Sequence, residues 1–171
     1  MRLLRLLVLP TLLLTCSVSS ADDGLDVLEN LLKSQNSDTI RIQTFLTKKK
    51  VKNPVYYAKI ITKKIHDNRT RNLFAAKLVV ETRGKANAVS PKGAIGPWQV
   101  MPMWCKTLHV SASELRNPEK NLEAAVRVHK IHLSQASNRV WGHKGSVWRY
   151  GGGSDYYVKI VRENYEEVAT L

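Results

Sequence analysis

Apolar residues recur at helical spacing along most of the chain, and the gaps between them hold the Pro, Gly, Asn, Asp and Ser that start and stop helices. Residues 22–34 set Leu25, Leu28, Leu31 and Leu32 three and four apart, which predicts a short amphipathic helix packed on the domain. Residues 35–53 are polar and basic around Ile40, Ile42, Phe45 and Leu46, and the pattern leaves their structure open. Asn53-Pro54 starts another helix, with Pro54 in the first turn and Tyr57, Ile60, Ile61 and Ile65 as its buried stripe. That helix stops at Asp67-Asn68, and Asp67 or Thr70 caps the next. This third helix carries Leu73, Phe74, Ala75, Ala76, Leu78, Val79 and Val80, interrupted only by Lys77, reaches Glu81 and ends near Arg83-Gly84. Lys85 to Gly96 is rich in turn residues. Helices are predicted from about Gln99 to Leu108 and from Pro118 to about Ala136, the latter with Leu122, Ala125, Val126, His129 and Leu133 on one face. Gly142 and Gly145 flank a turn before a helical piece over residues 146–150, and Gly151-Gly152-Gly153 breaks it. Ser154 caps a last helix with Tyr157, Ile160, Val161, Tyr165 and Val168 inward. The fold class is mainly α, without internal repeats.

The N-terminus departs from this pattern. Arg2 and Arg5 precede an apolar stretch from Leu6 to Leu14, broken only by Pro10 and Thr11, and Ser19-Ser20-Ala21 supplies small residues for a signal peptidase. The expected organisation is a signal peptide over 1–21, an N-terminal helix and basic segment over 22–53, and the main domain over 54–171. The apolar run is too short to cross a bilayer comfortably, so a buried or spanning N-terminal helix is the weaker reading and no transmembrane helix is expected in the mature chain. Leu13-Leu14-Thr15-Cys16 faintly resembles a lipoprotein processing site, but Thr before the cysteine disfavours a lipoprotein form. Cleavage after Ala21 leaves Cys105 alone, so the exported domain is stabilised by its core and not by an internal disulfide. The 27 Lys and Arg outweigh 14 Asp and Glu, for a net charge of +13 that falls to +11 without the two leader arginines. An exported protein with that charge is drawn to an anionic polymer such as the bacterial cell wall. Nucleic acid is the rival partner, yet the basic and stacking-aromatic interleaving of a single-strand binder is not apparent. The runs Lys48-Lys49-Lys50 with Lys52, and Lys63-Lys64, read first as solvated faces.

The candidate chemistry lies where the third helix ends. Glu81 follows an apolar run, so its carboxyl is expected where a helix leaves the core and faces a cleft, desolvated and held protonated as a general acid. Without more, a surface carboxylate ending a helix is the simpler reading. The surrounding residues change that. Glu81-Thr82, Ala88-Val89-Ser90, Gly93-Ala94-Ile95-Gly96-Pro97-Trp98-Gln99, Met101-Pro102, Asn117-Pro118-Glu119-Lys120-Asn121 and Trp148-Arg149-Tyr150-Gly151 fall in an order and spacing that resemble the soluble lytic transglycosylase domain. The resemblance covers roughly residues 54 to 168.

It implies a lysozyme-like α-helical domain, with room for a small irregular β element beside the cleft. It also implies cleavage of the MurNAc–GlcNAc bond of peptidoglycan without water, leaving 1,6-anhydro ends. Glu81 would be the sole acid and base, Thr82 and Tyr150 would orient it, and Gln99 would bind sugar. Trp98, Met101 and Trp148 would form a stacking wall, although such residues are also common in cores. Three departures stand out: Thr82 replaces the family serine, Pro97-Trp98 replaces Leu-Met, and Gly151 replaces an asparagine. A hydrolase of the lysozyme type and a weakly catalytic wall-binding component are the alternatives, since a usual glycosidase needs two carboxylates and none of Asp67, Glu114, Glu119 or Asp155 is placed by sequence as the partner. His129 and His132 have a usable metal-ligand spacing but no third ligand at a recognisable distance, so no metal and no cofactor is expected. Small dedicated enzymes of this kind often accompany secretion, conjugation or pilus assemblies, which are the candidate partners.

Overall fold

The computed structural model describes residues 21–135 and 144–171, so nearly all of the expected signal peptide and the turn at Gly142 lie outside the described residues. By its contacts the chain divides into residues 1–34 and residues 35–171. In the first unit the described residues are helical, with an exposed Glu29–Lys33 ion pair at 2.7 Å. The core and the cleft belong to the second.

Helix α1 (Ala21–Lys48) takes in residues 35–48 of the region that the pattern leaves open. Ile42, Phe45 and Leu46 are fully buried at i, i+3, i+4, while Ile40 is 57% exposed, so the burial signal is a narrow stripe inside a polar segment. A buried polar lock holds this part of α1. Asp38 accepts from Arg71 at 2.5 Å and from Arg41 at 2.8 Å, and Arg41 also donates to the Asn72 side chain at 2.8 Å and the Val168 carbonyl at 2.5 Å. Because both guanidinium groups are paired and hydrogen-bonded, their burial is tolerated.

Helix α2 (Pro54–Lys64) and helix α3 (Asn68–Glu81) follow, and Asp67 caps α3 by accepting from the Thr70 N–H at 2.7 Å. Every residue of α3 from Arg71 to Val79 is buried, which makes it the central helix of the unit, packed on α2 and on the C-terminal helix. Beyond it, residues 82–101 form a loop whose β element is two isolated antiparallel bridges, Val89 with Ile95 and Ile95 with Val100. The helix expected from Gln99 starts later. Gln99 has a left-handed backbone (φ 51) and Val100 is paired with Ile95, so helical geometry begins with a 3₁₀ turn at Pro102–Trp104 and continues as α4 (Cys105–Leu108). Helices α5 (Pro118–Gln135), α6 (Lys144–Tyr150) and α7 (Asp155–Ala169) complete the unit, with Ser154 capping α7 through the Tyr157 N–H at 3.1 Å. On α7 the buried residues are Val158, Val161 and Val168, and Tyr157 is only partly buried. Among the described residues no helix is long and apolar enough to cross a membrane.

Candidate active site

Glu81 is the last residue of α3 and lines two adjoining cavities, of about 730 and 530 Å³, together with Ser90 and Gln99. Among the described residues it is the only carboxylate in either wall. Its position follows from the helix that carries it: a segment buried all round can present an acid only at its end.

Burial pushes the Glu81 carboxyl above its ordinary value, with a hydrogen bond from Tyr157 and the charge of Lys77 pulling the other way. The Tyr157 hydroxyl donates to Glu81 Oε1 at 2.5 Å. Lys77, one helical turn back, is fully buried, and its Nζ has no hydrogen-bond acceptor among the described residues. That nitrogen lies 2.8 Å from the centre of the Tyr150 ring and 5.0 Å from that of Phe74. Burial holds the Lys77 amine well below its ordinary range, and the Glu81 carboxylate acts against that shift.

The glycine-rich loop is fixed from behind. Asn121 donates to the carbonyls of Ile95 (2.8 Å) and Leu115 (2.9 Å) and accepts from the Trp98 N–H (2.9 Å), satisfying three buried backbone groups with one amide. Gly96 is needed beside it, because its φ is 80° and a Cβ there would meet Asn121 and the Leu115 carbonyl.

The residues expected around Glu81 take other positions in part. The Thr82 hydroxyl donates to the Pro97 carbonyl (2.8 Å), and the Tyr150 hydroxyl donates to the Trp98 carbonyl (2.6 Å), so both hydroxyls brace the loop, while Tyr150 lines the smaller cavity with Glu81. Gln99 reaches the cleft, and its Nε2 donates to the Gly96 carbonyl at 2.9 Å. Met101 lines the smaller cavity with Met103 and Trp104. Trp98 does not belong to a stacking wall: it is 0% exposed, donates from Nε1 to the Phe74 carbonyl at 2.8 Å, and packs edge-on against Tyr57. Trp148 is absent from the described lining of both cavities. The tryptophan that lines the cleft is Trp104, beside Tyr150 and Tyr157; its ring meets His132 edge-on at 5.4 Å, while His129 packs on Phe74.

Tyr157 is the residue that sequence reasoning places in the core and the structure places on Glu81. The signal for it lies at Gly151. A Cβ added there would stand 2.5 Å from Tyr157 Cγ and 2.9 Å from its Cβ, with Cδ1 closer still. The space that a side chain at 151 would fill is therefore taken by the ring whose hydroxyl holds the acid. This is the physical counterpart of the missing asparagine.

A family model described as the transglycosylase SLT domain matches residues 59–165. Neither the curated proteins nor the solved structures yield a significant match. The family match spans well over half of the chain and contains Glu81, the glycine-rich loop and helices α3 to α6 entire. With its mainly helical architecture, the chain belongs to the transglycosylase SLT domain family of the lysozyme-like superfamily, a family of peptidoglycan-cleaving transglycosylases.

Proposed function

We propose that this protein is a peptidoglycan lytic transglycosylase in which Glu81 serves as both acid and base. The observation that carries the reading is the solitary carboxylate. A hydrolase of the ordinary kind uses two carboxyl groups about 5–9.5 Å apart across the bond, one of them to attack or to activate water. The described walls of this cleft offer one. With Glu81 protonated by burial, its proton passes to the glycosidic oxygen as the bond from that oxygen to the muramyl C1 breaks. The resulting carboxylate then takes the proton of the muramyl 6-hydroxyl while that oxygen bonds to C1, which closes the 1,6-anhydro ring and restores the acid. Tyr157 and Lys77 both favour the carboxylate that exists between the two transfers. Burial favours the acid at either end, and the opposition keeps one group serviceable in both roles.

In this reading the leader exports the protein to the periplasm or cell wall, where its basic surface favours the wall polymer. A local wall-opening role for a secretion, conjugation or pilus assembly accords with the small size of the catalytic domain, and neighbouring genes encoding such an assembly are the corresponding check. The decisive experiment is mass spectrometry of fragments released from purified peptidoglycan by the protein and by Glu81→Gln. Anhydro-muramyl ends with the first and none with the second are expected. Reducing ends would make the enzyme a hydrolase, and no release by either would leave a wall-binding component.

A further inference from the structure

The larger cavity beside Glu81 has a feature that bond cleavage does not use. Lys50, Lys52, Arg83 and Lys85 line it, all four exposed, and Glu81 is the only acid among the described lining residues. None of the four side chains makes an ion pair or a hydrogen bond among the described residues. Their neighbours behave differently: Lys48 and Lys49 both pair with Glu167, at 2.8 and 2.5 Å. The division occurs at Lys50, whose left-handed backbone (φ 56) turns the chain at the end of α1. Half of the basic run is thus paired with a carboxylate on α7, and the other half faces the cavity.

The two cationic segments are pinned together. The Lys52 N–H donates to the Arg83 carbonyl at 2.9 Å, and the Tyr57 hydroxyl donates to the Gly84 carbonyl at 3.1 Å. Gly84, at φ 77, lies so close to Tyr57, Lys52 and Val51 that a Cβ would come within 2.7 to 2.9 Å of each. The attachment points of the four charges are therefore set by packed backbone, which lowers the ordering cost of binding an anion between them. An array of unpaired ammonium and guanidinium groups at a cavity wall takes carboxylates.

Resting on the reading of the cleft as a peptidoglycan-cleaving site, we infer that this arm binds the free carboxylates of the substrate's muramyl units while the glycan lies across Glu81. Those carboxylates have two sources, the peptide stems or the lactyl group freed when a stem is removed. Both present the same chemistry to the arm.

The test uses the full chain with Glu81→Gln, so that binding is measured without turnover, and fluorescence anisotropy with labelled soluble glycan strands. The strands carry intact stems, or stems removed by an amidase, or all carboxyl groups capped as neutral amides. Lys52→Gln/Lys85→Gln is compared with Lys59→Gln/Lys63→Gln, which removes the same charge from exposed positions on α2. Capping the carboxylates, or removing Lys52 and Lys85, is expected to raise Kd roughly three- to tenfold. The α2 pair leaves Kd unchanged, and capping has no further effect once Lys52 and Lys85 are gone. Preference for intact over stripped strands assigns the stems, preference for stripped over intact strands assigns the freed lactyl group, and equal affinity for the two shows that the arm takes either carboxylate. Equal affinity for capped and uncapped strands, or the same loss in both double variants, overturns the inference. If the wild-type protein cleaves no strand yet this binding pattern holds, the cleavage reading falls and the carboxylate arm stands. Cleavage without any dependence on carboxylates does the reverse.

Discussion

Gly151→Ala is the sharpest perturbation that the cleft offers. The added carbon would lie 2.5 Å from Tyr157 Cγ, where carbon atoms ordinarily sit about 3.5–4.0 Å apart, so the ring must retreat by roughly 1 Å. Two consequences follow, and they separate by assay. Overpacking of this kind costs about 1–3 kcal/mol, which lowers the melting temperature. Retreat of the ring also removes its hydroxyl from Glu81, and a hydrogen bond to a charged group is worth about 1.5–3 kcal/mol, or at least tenfold in the stability of the carboxylate. Without that bond Glu81 titrates at higher pH, and kcat falls by about tenfold or more because the base that accepts the 6-hydroxyl proton is less stable and less well oriented. Tyr157→Phe removes the hydroxyl while keeping the ring, so it should show the same pH shift and loss of kcat with little change in melting. Gly151→Asn, which reinstates the family residue, should resemble Gly151→Ala unless Tyr157 is also shortened to Ala, in which case part of the stability returns. The measurements are pH–rate profiles of glycan cleavage and thermal melts. A wild-type profile in both Gly151→Ala and Tyr157→Phe would refute the argument that Tyr157 governs the acid.

Other outcomes are expected from the same geometry. Because burial raises the Glu81 carboxyl above its ordinary value, the folded state holds its proton longer than the unfolded chain does, and stability is lost as pH rises through the folded value. Glu81→Gln should therefore match the wild type at pH below about 4 and be the more stable of the two at alkaline pH, as read by denaturant titration across pH. Lys77 has the opposite sign: folded Lys77 releases its proton early, so the fold is penalised below the ordinary lysine value and recovers as pH rises toward it. Lys77→Met should stabilise the domain at neutral pH by about 1 kcal/mol or more while raising the pH at which Glu81 titrates, and a loss of stability would show that the buried amine is better satisfied than its surroundings indicate. Asn121→Ala strips partners from three buried backbone groups, so a loss of about 3 kcal/mol or more is expected by chemical denaturation, and a loss under 1 kcal/mol would mean that water replaces the amide.

The central helix and its terminal acid are legible in the sequence because a segment buried on every side reads as an almost continuous apolar run, and only its end can meet solvent. The 35–48 stretch is not legible, since its contribution to the core is the narrow stripe of Ile42, Phe45 and Leu46 set among polar residues whose pairing partners lie on α3 and α7. Trp98 and Trp104 are six residues apart in one motif, and which of them faces the cleft depends on the left-handed turn at Gln99, a residue type that carries no turn signal. Tyr157 sits at a spacing shared with core residues, and its reach to Glu81 depends on the absence of a side chain six positions earlier. A fold-level pattern cannot report that.

Among the described residues, five other than glycine adopt positive φ, and three of them, Lys50, Arg83 and Gln99, line the cavities beside Glu81. For such residues the left-handed conformation costs about 1–2 kcal/mol each, which glycine would relieve. Glycine would also delete two cations and the amide from the cleft. Selection of this domain for heat resistance alone would therefore tend to erode its binding surface, a trade-off between stability and activity written into the backbone. His109, which shares the conformation at the end of α4 and lies outside the described lining of both cavities, is where the same relief leaves the cleft untouched.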